Sequence, residues 1–187
     1  MKLLRKYIRE ALEESNEILI PPPPPVEYRI KELEVITHQY HNRFNPEALQ
    51  HALDADMVKV FDSLLVASGM DSYAPLIEQF KEEVLPVIHL HKNHFDLGRP
   101  NELADQHGIP FKFDYLESAQ TPTYPSGHTT QAFYTATKLS RMFPHLTEDL
   151  FTLANMIAES RIDRGVHFPS DNEAGKLLAA KLTGEIS

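Results

Sequence analysis

Ser160, Arg161, His167 and Asp171, clustered near the end of the sequence, are the residue types that could carry a group transfer. His167 and Asp171 are four residues apart, and Pro169 between them is a natural first helical residue. A helix opening there places Asp171 in its first turn, next to His167. A carboxylate that accepts a hydrogen bond from one imidazole N–H fixes the ring and its tautomer, leaving the other nitrogen bare. Such a histidine can attack phosphorus and become a phosphohistidine. Taken alone, the pair reads more simply as a histidine and an aspartate satisfying each other, so the rest of the chain must decide.

A second stretch, Tyr124-Pro125-Ser126-Gly127-His128-Thr129, reads as a helix N-terminus built to hold an anion. Ser126 can cap the helix, and Gly127 lets a ligand approach the backbone. The first helical N–H groups lack internal partners and carry partial positive charge, which suits a phosphate-sized anion. His128 stands beside them, able to protonate a leaving oxygen and then activate water. A third stretch runs from Lys92 to Arg99-Pro100. Arg99 and Arg161 offer planar forks, Lys92 a point charge, and Ser126 and the Gly127 N–H neutral donors. The plain alternative for each basic residue is a surface ion pair, since the chain has 27 acidic residues.

In order, the three stretches are Lys, six residues, Arg-Pro; Pro-Ser-Gly-His; and Ser-Arg, five residues, His, three residues, Asp. This pattern resembles the signature of the type 2 phosphatidic acid phosphatase superfamily, which includes class A acid phosphatases and vanadium haloperoxidases. The resemblance covers roughly residues 86–180. It implies an all-α, single-domain helical bundle with the site at the ends of several helices. It also implies His167, His128 and Asp171 as catalytic residues, and Lys92, Arg99, Ser126, Gly127 and Arg161 as phosphate-binding residues. For the phosphatases it implies no metal cofactor. The expected activity is hydrolysis of phosphate monoesters through phospho-His167. A haloperoxidase holding vanadate in the same pocket, or a non-catalytic phosphate-binding module, are the rival readings. Vanadate is accordingly expected as an inhibitor, or as a cofactor in the haloperoxidase reading.

The elements that must position these residues are helical by their apolar spacing. The chain has 187 residues, 42% hydrophobic and 24% charged, ordinary for one globular domain with a sizeable core. Its net charge of -9 argues against nucleic acid as a partner and implies that its positive groups are concentrated in one pocket. A small phosphorylated substrate fits better. There is no Cys, which leaves the redox compartment open. No signal-peptide pattern and no run of apolar residues long enough to span a membrane are present, so a soluble, cytoplasmic protein is expected.

Helices are predicted over residues 3–19 (through Leu4, Ile8 and Leu12) and 26–41 (through Ile30, Leu33 and Ile36). Pro21 to Pro25 read as a stiff spacer between them rather than a ligand for a proline-binding module. Residues 1–45 are taken as an N-terminal helical part, packed on the core or peripheral, and 46–187 as the catalytic helical domain. Asn45-Pro46 predicts the start of a helix with Leu49, Leu53, Met57, Val60, Phe61 and Leu64 inward, ended by Gly69. Asp71-Ser72 predicts the cap of the next helix, which Pro86 should kink or split. His89, His91 and His94 could suggest a metal, but the usual Cys or His-Glu-x-x-His partners are absent, so no metal site is expected. Residues 95–124 predict a long loop with a short helix near 101–106, whose Phe111, Phe113, Tyr115 and Tyr124 could wall a pocket or pack beneath the loop. Helices follow over 126–142, 147–163 (capped by Thr147) and 169–183, with Gly165 making the turn before His167.

Overall fold

The computed structural model describes residues 18–43, 53 and 56–186. Among these the chain is all-α, with no strand. Its helices are α1 (Val26–Asn42), α2 (Met57–Ala67), α3 (Ala74–Phe95), α4 (Pro100–Gln106), α5 (Gly127–Met142), α6 (Thr147–Asp163) and α7 (Pro169–Thr183). Short 3-10 turns occupy Glu117–Ala119 and Pro144–Leu146.

Helix α5 is the centre of the bundle. Its small residues Ala132 and Ala136, with Leu139, are fully buried and let α3, α6 and α7 pack against it. Those neighbours contribute Ile77, Val84 and Ile88, then Leu150, Ala154 and Ile157, then Leu178, while α2 adds Phe61 and Leu65. Burying such side chains stabilises the fold by roughly 1.5–3 kcal/mol each. A second apolar cluster joins Leu33 and Ile36 of α1 to Leu103 and Ala104 of α4, Ile162 of α6 and Phe168. It lies under the chain that carries His167, so α1 is part of the site's support.

Several local expectations are corrected. The predicted helix over 3–19 and the Asn45–Pro46 start fall almost wholly outside the described residues, and residues 18 and 19 are not helical. The described helix α2 begins at Met57, because Asp56 accepts the Lys59 N–H at 2.9 Å. Leu65, not Leu64, completes its buried stripe with Met57 and Phe61. Asp71 and Ser72 do not cap α3 as a pair. Instead the Tyr73 N–H donates to Asp62 of α2 at 2.6 Å, tying the two helices at their junction. Thr147 is the first residue of α6 rather than its cap, and its hydroxyl donates back to Pro144 O at 2.8 Å. Pro86 does not split α3, which runs as helix from Ala74 to Phe95. Its proline lies on a helix braced by Val84, Val87 and Ile88, all buried, so packing outweighs the lost backbone bond. At the start of the Pro run, Pro21 O accepts the Tyr124 hydroxyl at 2.9 Å, fastening this segment beside the Pro-Ser-Gly-His stretch.

Helix α5 and helix α7 touch most closely at Gly175. A Cβ there would stand 2.8 Å from Ser126 O and 3.0 Å from the Thr129 Cβ. Gly175→Ala is therefore expected to destabilise the fold by about 1–3 kcal/mol, because the obstruction is backbone and cannot swing aside. Chemical denaturation measures this, and wild-type stability in the variant would show that the two helices separate freely.

Candidate active site

The site is assembled where α5 and α7 begin and α6 ends. Ser126 caps α5, its Oγ accepting the Thr129 N–H at 3.4 Å and pairing with Thr129 Oγ1 at 2.8 Å. Its own N–H donates to Asp171 O at 3.0 Å, which locks the start of α5 to the first turn of α7. Thr129 Oγ1 donates to Asn172 Oδ1 at 2.8 Å, and Asn172 Nδ2 donates to Ala158 O at 2.7 Å. Side chains thus join three helix ends before any catalytic group is considered.

Asp171 Oδ2 lies at the middle of this junction. It accepts the Phe168 N–H at 2.9 Å, the Thr123 hydroxyl and, at 2.9 Å, His167 Nδ1. On the far side of the ring, Arg99 Nη1 stands 3.0 Å from Nε2. Arginine only donates, so Nε2 accepts and the ring proton belongs on Nδ1. Burial, then Arg99, Lys92 and Arg161, hold His167 well below its ordinary range. Burial lifts Asp171, while the Thr123 and Phe168 donors and the charges of Arg29 and Lys92 oppose the rise. The state this favours is a neutral imidazole, oriented by a carboxylate, with an unprotonated Nε2 that accepts from the Arg99 guanidinium.

The positive groups are held by backbone carbonyls. Arg99 Nε donates to Thr121 O at 2.9 Å and its Nη1 to Val166 O at 2.7 Å. Lys92 Nζ donates to Pro122 O and to Thr123 O. Burial and then Arg99 lower Lys92 to about 7, and burial lowers Arg99 to about 10. Gly127 lies over Lys92, where an added Cβ would sit 3.7 Å from Lys92 Cε. His128, half-buried in the first turn of α5, is pushed down to about 4 by burial, then by Lys92, Arg99 and Lys81. Arg161 is fully buried in the last turn of α6, with Nη2 3.3 Å from Ser118 Oγ, and burial lowers it to about 9.

The structure therefore brings His167, Asp171, Arg99 and Lys92 into one buried centre, with His128 and Arg161 electrostatically coupled to it. The Ser126 hydroxyl is engaged in its own cap. Gly165 makes the turn before His167 at φ 72°, and a Cβ there would meet Lys112 O at 2.8 Å. Arg164 pairs with Asp114 at 3.1 Å, pinning the loop that faces this turn. Of the four loop aromatics, Tyr124 is buried against Phe95 and Phe111 packs on the second cluster, whereas Phe113 and Tyr115 are exposed, Tyr115 at 73%. His91 bonds Val87 O at 2.8 Å and the Leu19 N–H at 3.0 Å, a buried bridge from α3 to residue 19. Among the described residues no three His, Asp or Glu converge as metal ligands.

Thr123 is the site residue that sequence reasoning missed. It is fully buried, donates to Asp171 and lies 3.1 Å from His167 Nδ1. Its only signal was proximity to the Tyr124-Pro125 pair, which does not distinguish it from Thr121.

Comparison with known proteins shows the family and the fold. Residues 80–185 match the family described as the PAP2 superfamily. An acid phosphatase of Zymomonas mobilis subsp. mobilis is 28% identical over 141 residues, 72% of this chain and 52% of the relative. The chain thus spans about half the length of that curated relative. The crystal structure of a transmembrane PAP2-type phosphatidylglycerolphosphate phosphatase from Bacillus subtilis shares the fold. Its TM-score is 0.54 at 14% identity, covering 99% of this chain and 94% of that one. Among the described residues no helix is long and apolar enough to cross a membrane. By its sequence match and its all-helical architecture, the chain belongs to the PAP2 superfamily.

Proposed function

We propose that the chain is a metal-independent phosphatase that hydrolyses phosphate monoesters through a phosphohistidine intermediate. The observation that carries this reading is the His167 ring itself, held at Nδ1 by Asp171 and facing Arg99 with Nε2. In the first step Nε2 attacks phosphorus and the P–O bond to the alcohol breaks, while His128 gives its proton to the leaving oxygen. Asp171 stabilises the positive charge that develops on the ring without taking its proton. In the second step His128 takes a proton from water as water attacks the phosphohistidine, releasing phosphate and restoring neutral His167. Arg99, Arg161, Lys92 and the N–H groups at the start of α5 neutralise the equatorial oxygens, where phosphoryl transfer needs help. Membership of a family with an acid phosphatase relative supports the same chemistry.

An aryl phosphate should be hydrolysed at the same rate with and without chelator. His167→Ala should abolish turnover with every ester. Arg161→Lys should lose on the order of 10²-fold in kcat, because an ammonium cannot make a two-point contact. Phosphate release assays measure all three. Activity that chelator removes and zinc or magnesium restores would overturn the metal-independent reading.

The charges around His128 give a second expectation. Lys92 and Arg99 help to hold it down to about 4, so an oxyanion bound between those cations must raise it. Lys92, lowered to about 7, moves in the same direction. Binding sulfate, an oxyanion with no proton of its own to lose at neutral pH, should therefore draw protons onto the protein. Calorimetry in buffers of different ionisation enthalpy reads the sign, and His128→Asn should reduce the uptake. Net proton release would place the anion elsewhere.

A further inference from the structure

Helix α1 lies outside the family match, yet it presents two charged residues to the core. Arg29 and Glu32 are each 6% exposed, and they share a face of the helix with the buried Leu33 and Ile36. A buried charge is costly unless it is used in a bond. Both oxygens of Glu32 are used on one residue: Oε1 accepts the Ser170 N–H and Oε2 the Ser170 hydroxyl, each at 2.7 Å. Ser170 is the second residue of α7, and its N–H is among those a helix cannot satisfy internally. Glu32 thus caps α7 from another helix. The Arg29 guanidinium lies over the Phe168 ring, 4.3 Å from its centroid, and Nη2 donates to Gly98 O at 2.9 Å. Phe168 follows His167, and Gly98 precedes Arg99. One turn of α1 therefore grips the chain on both sides of the contact between Arg99 Nη1 and His167 Nε2.

We propose that Arg29 and Glu32 are positioning residues of this site, a clasp through which α1 fixes the His167–Asp171 pair against Arg99. The proposal rests on the reading of His167 as the nucleophile. The two charges also oppose each other at Asp171. Arg29 attracts its carboxylate and Glu32 repels it. The other groups facing the pair are Lys92 from α3, Arg99 before α4, His128 from α5 and Arg161 from α6. None of these is itself substituted when α1 is changed, so the two substitutions, which remove opposite charges, have opposite signatures. Without Arg29, Asp171 takes up a proton more readily, and the acid limb of the kcat profile moves to higher pH. Without the Glu32 carboxylate, the limb moves to lower pH.

The test uses the full chain with Arg29→Met, Arg29→Lys and Glu32→Gln, each checked for wild-type helicity at the assay temperature. Expected is a fall in kcat on the order of 10-fold or more with KM little changed, as for displaced supporting residues elsewhere. The acid limb should shift up in Arg29→Met and down in Glu32→Gln, and Arg29→Lys should keep it in place. Loss of thermal stability with unchanged kcat, or limbs that do not move apart, would reduce the clasp to ordinary packing. A substrate-free readout separates this from the function itself. The 15N spectrum of His167 should show the Nδ1–H tautomer alone in the wild type and exchange between tautomers in Arg29→Met/Glu32→Gln. An inactive wild type with those spectra would sink the phosphatase reading and leave the clasp standing; one tautomer in both proteins would sink the clasp.

Discussion

One carboxylate oxygen organises this molecule. Asp171 Oδ2 gathers three donors from two separate pieces of chain: His167 and Phe168 from one, Thr123 from the other. The two pieces arrive by different routes. Phe168 and His167 come from the turn that Gly165 allows after α6, and Thr123 comes from the end of the long loop that α3 and α4 deliver. The backbone of the same aspartate accepts the Ser126 N–H, so α5 is registered against the same residue. The close approach of α5 and α7 at Gly175 is what makes that registration possible. A contact that registers two helices and a contact that orients His167 therefore meet in one residue, through its backbone and its side chain.

The rest of the site is a problem of charge. A chain with net charge -9 has placed Lys92, Arg99 and Arg161 in its interior, where each loses solvation. Backbone carbonyls of residues 121–123 and 166 hold two of them in place. Carbonyl dipoles cannot neutralise a full charge, so the centre keeps a positive field, which adds to burial in lowering both His128 and His167. Burial and that field together favour neutral histidines, and the field favours a phosphate-like anion. Neutral is the form an attacking Nε2 requires. In the proposed mechanism the same surroundings make His128 a poor proton donor until negative charge enters, which would couple its proton to anion binding.

Much of this was legible in the sequence where the signal was local. The helix over 26–41 follows from apolar spacing, Ser126 and Pro169 mark two of the last three helix starts, and the short helix expected near 101–106 is present as α4. The His167–Asp171 contact followed from a four-residue spacing across a helix start. Long-range partners were not legible. Tyr73 is capped by Asp62 of the preceding helix, so its own Asp71-Ser72 misled. Thr123 reaches Asp171 across 48 positions, which no spacing rule encodes. Arg29 and Glu32 had a detectable signal, charged residues on the apolar stripe of α1, but their partners Gly98, Phe168 and Ser170 lie 69 or more positions away. The row His89, His91 and His94 is split by burial. His89 and His91 are two apart and do not face each other, and His91 is buried and bonded to Val87 and Leu19 while His89 and His94 are exposed.

The central claim is that His167, through Nε2, forms the covalent bond to phosphorus. Rapid acid-free quench of the enzyme with a labelled aryl phosphate, followed by mass spectrometric mapping, tests it in one experiment. The account predicts label on His167, bonded at Nε2, accumulating in a His128→Ala variant because the second step has lost its base. Label on His128, or turnover with no phosphoenzyme in either protein, would contradict it.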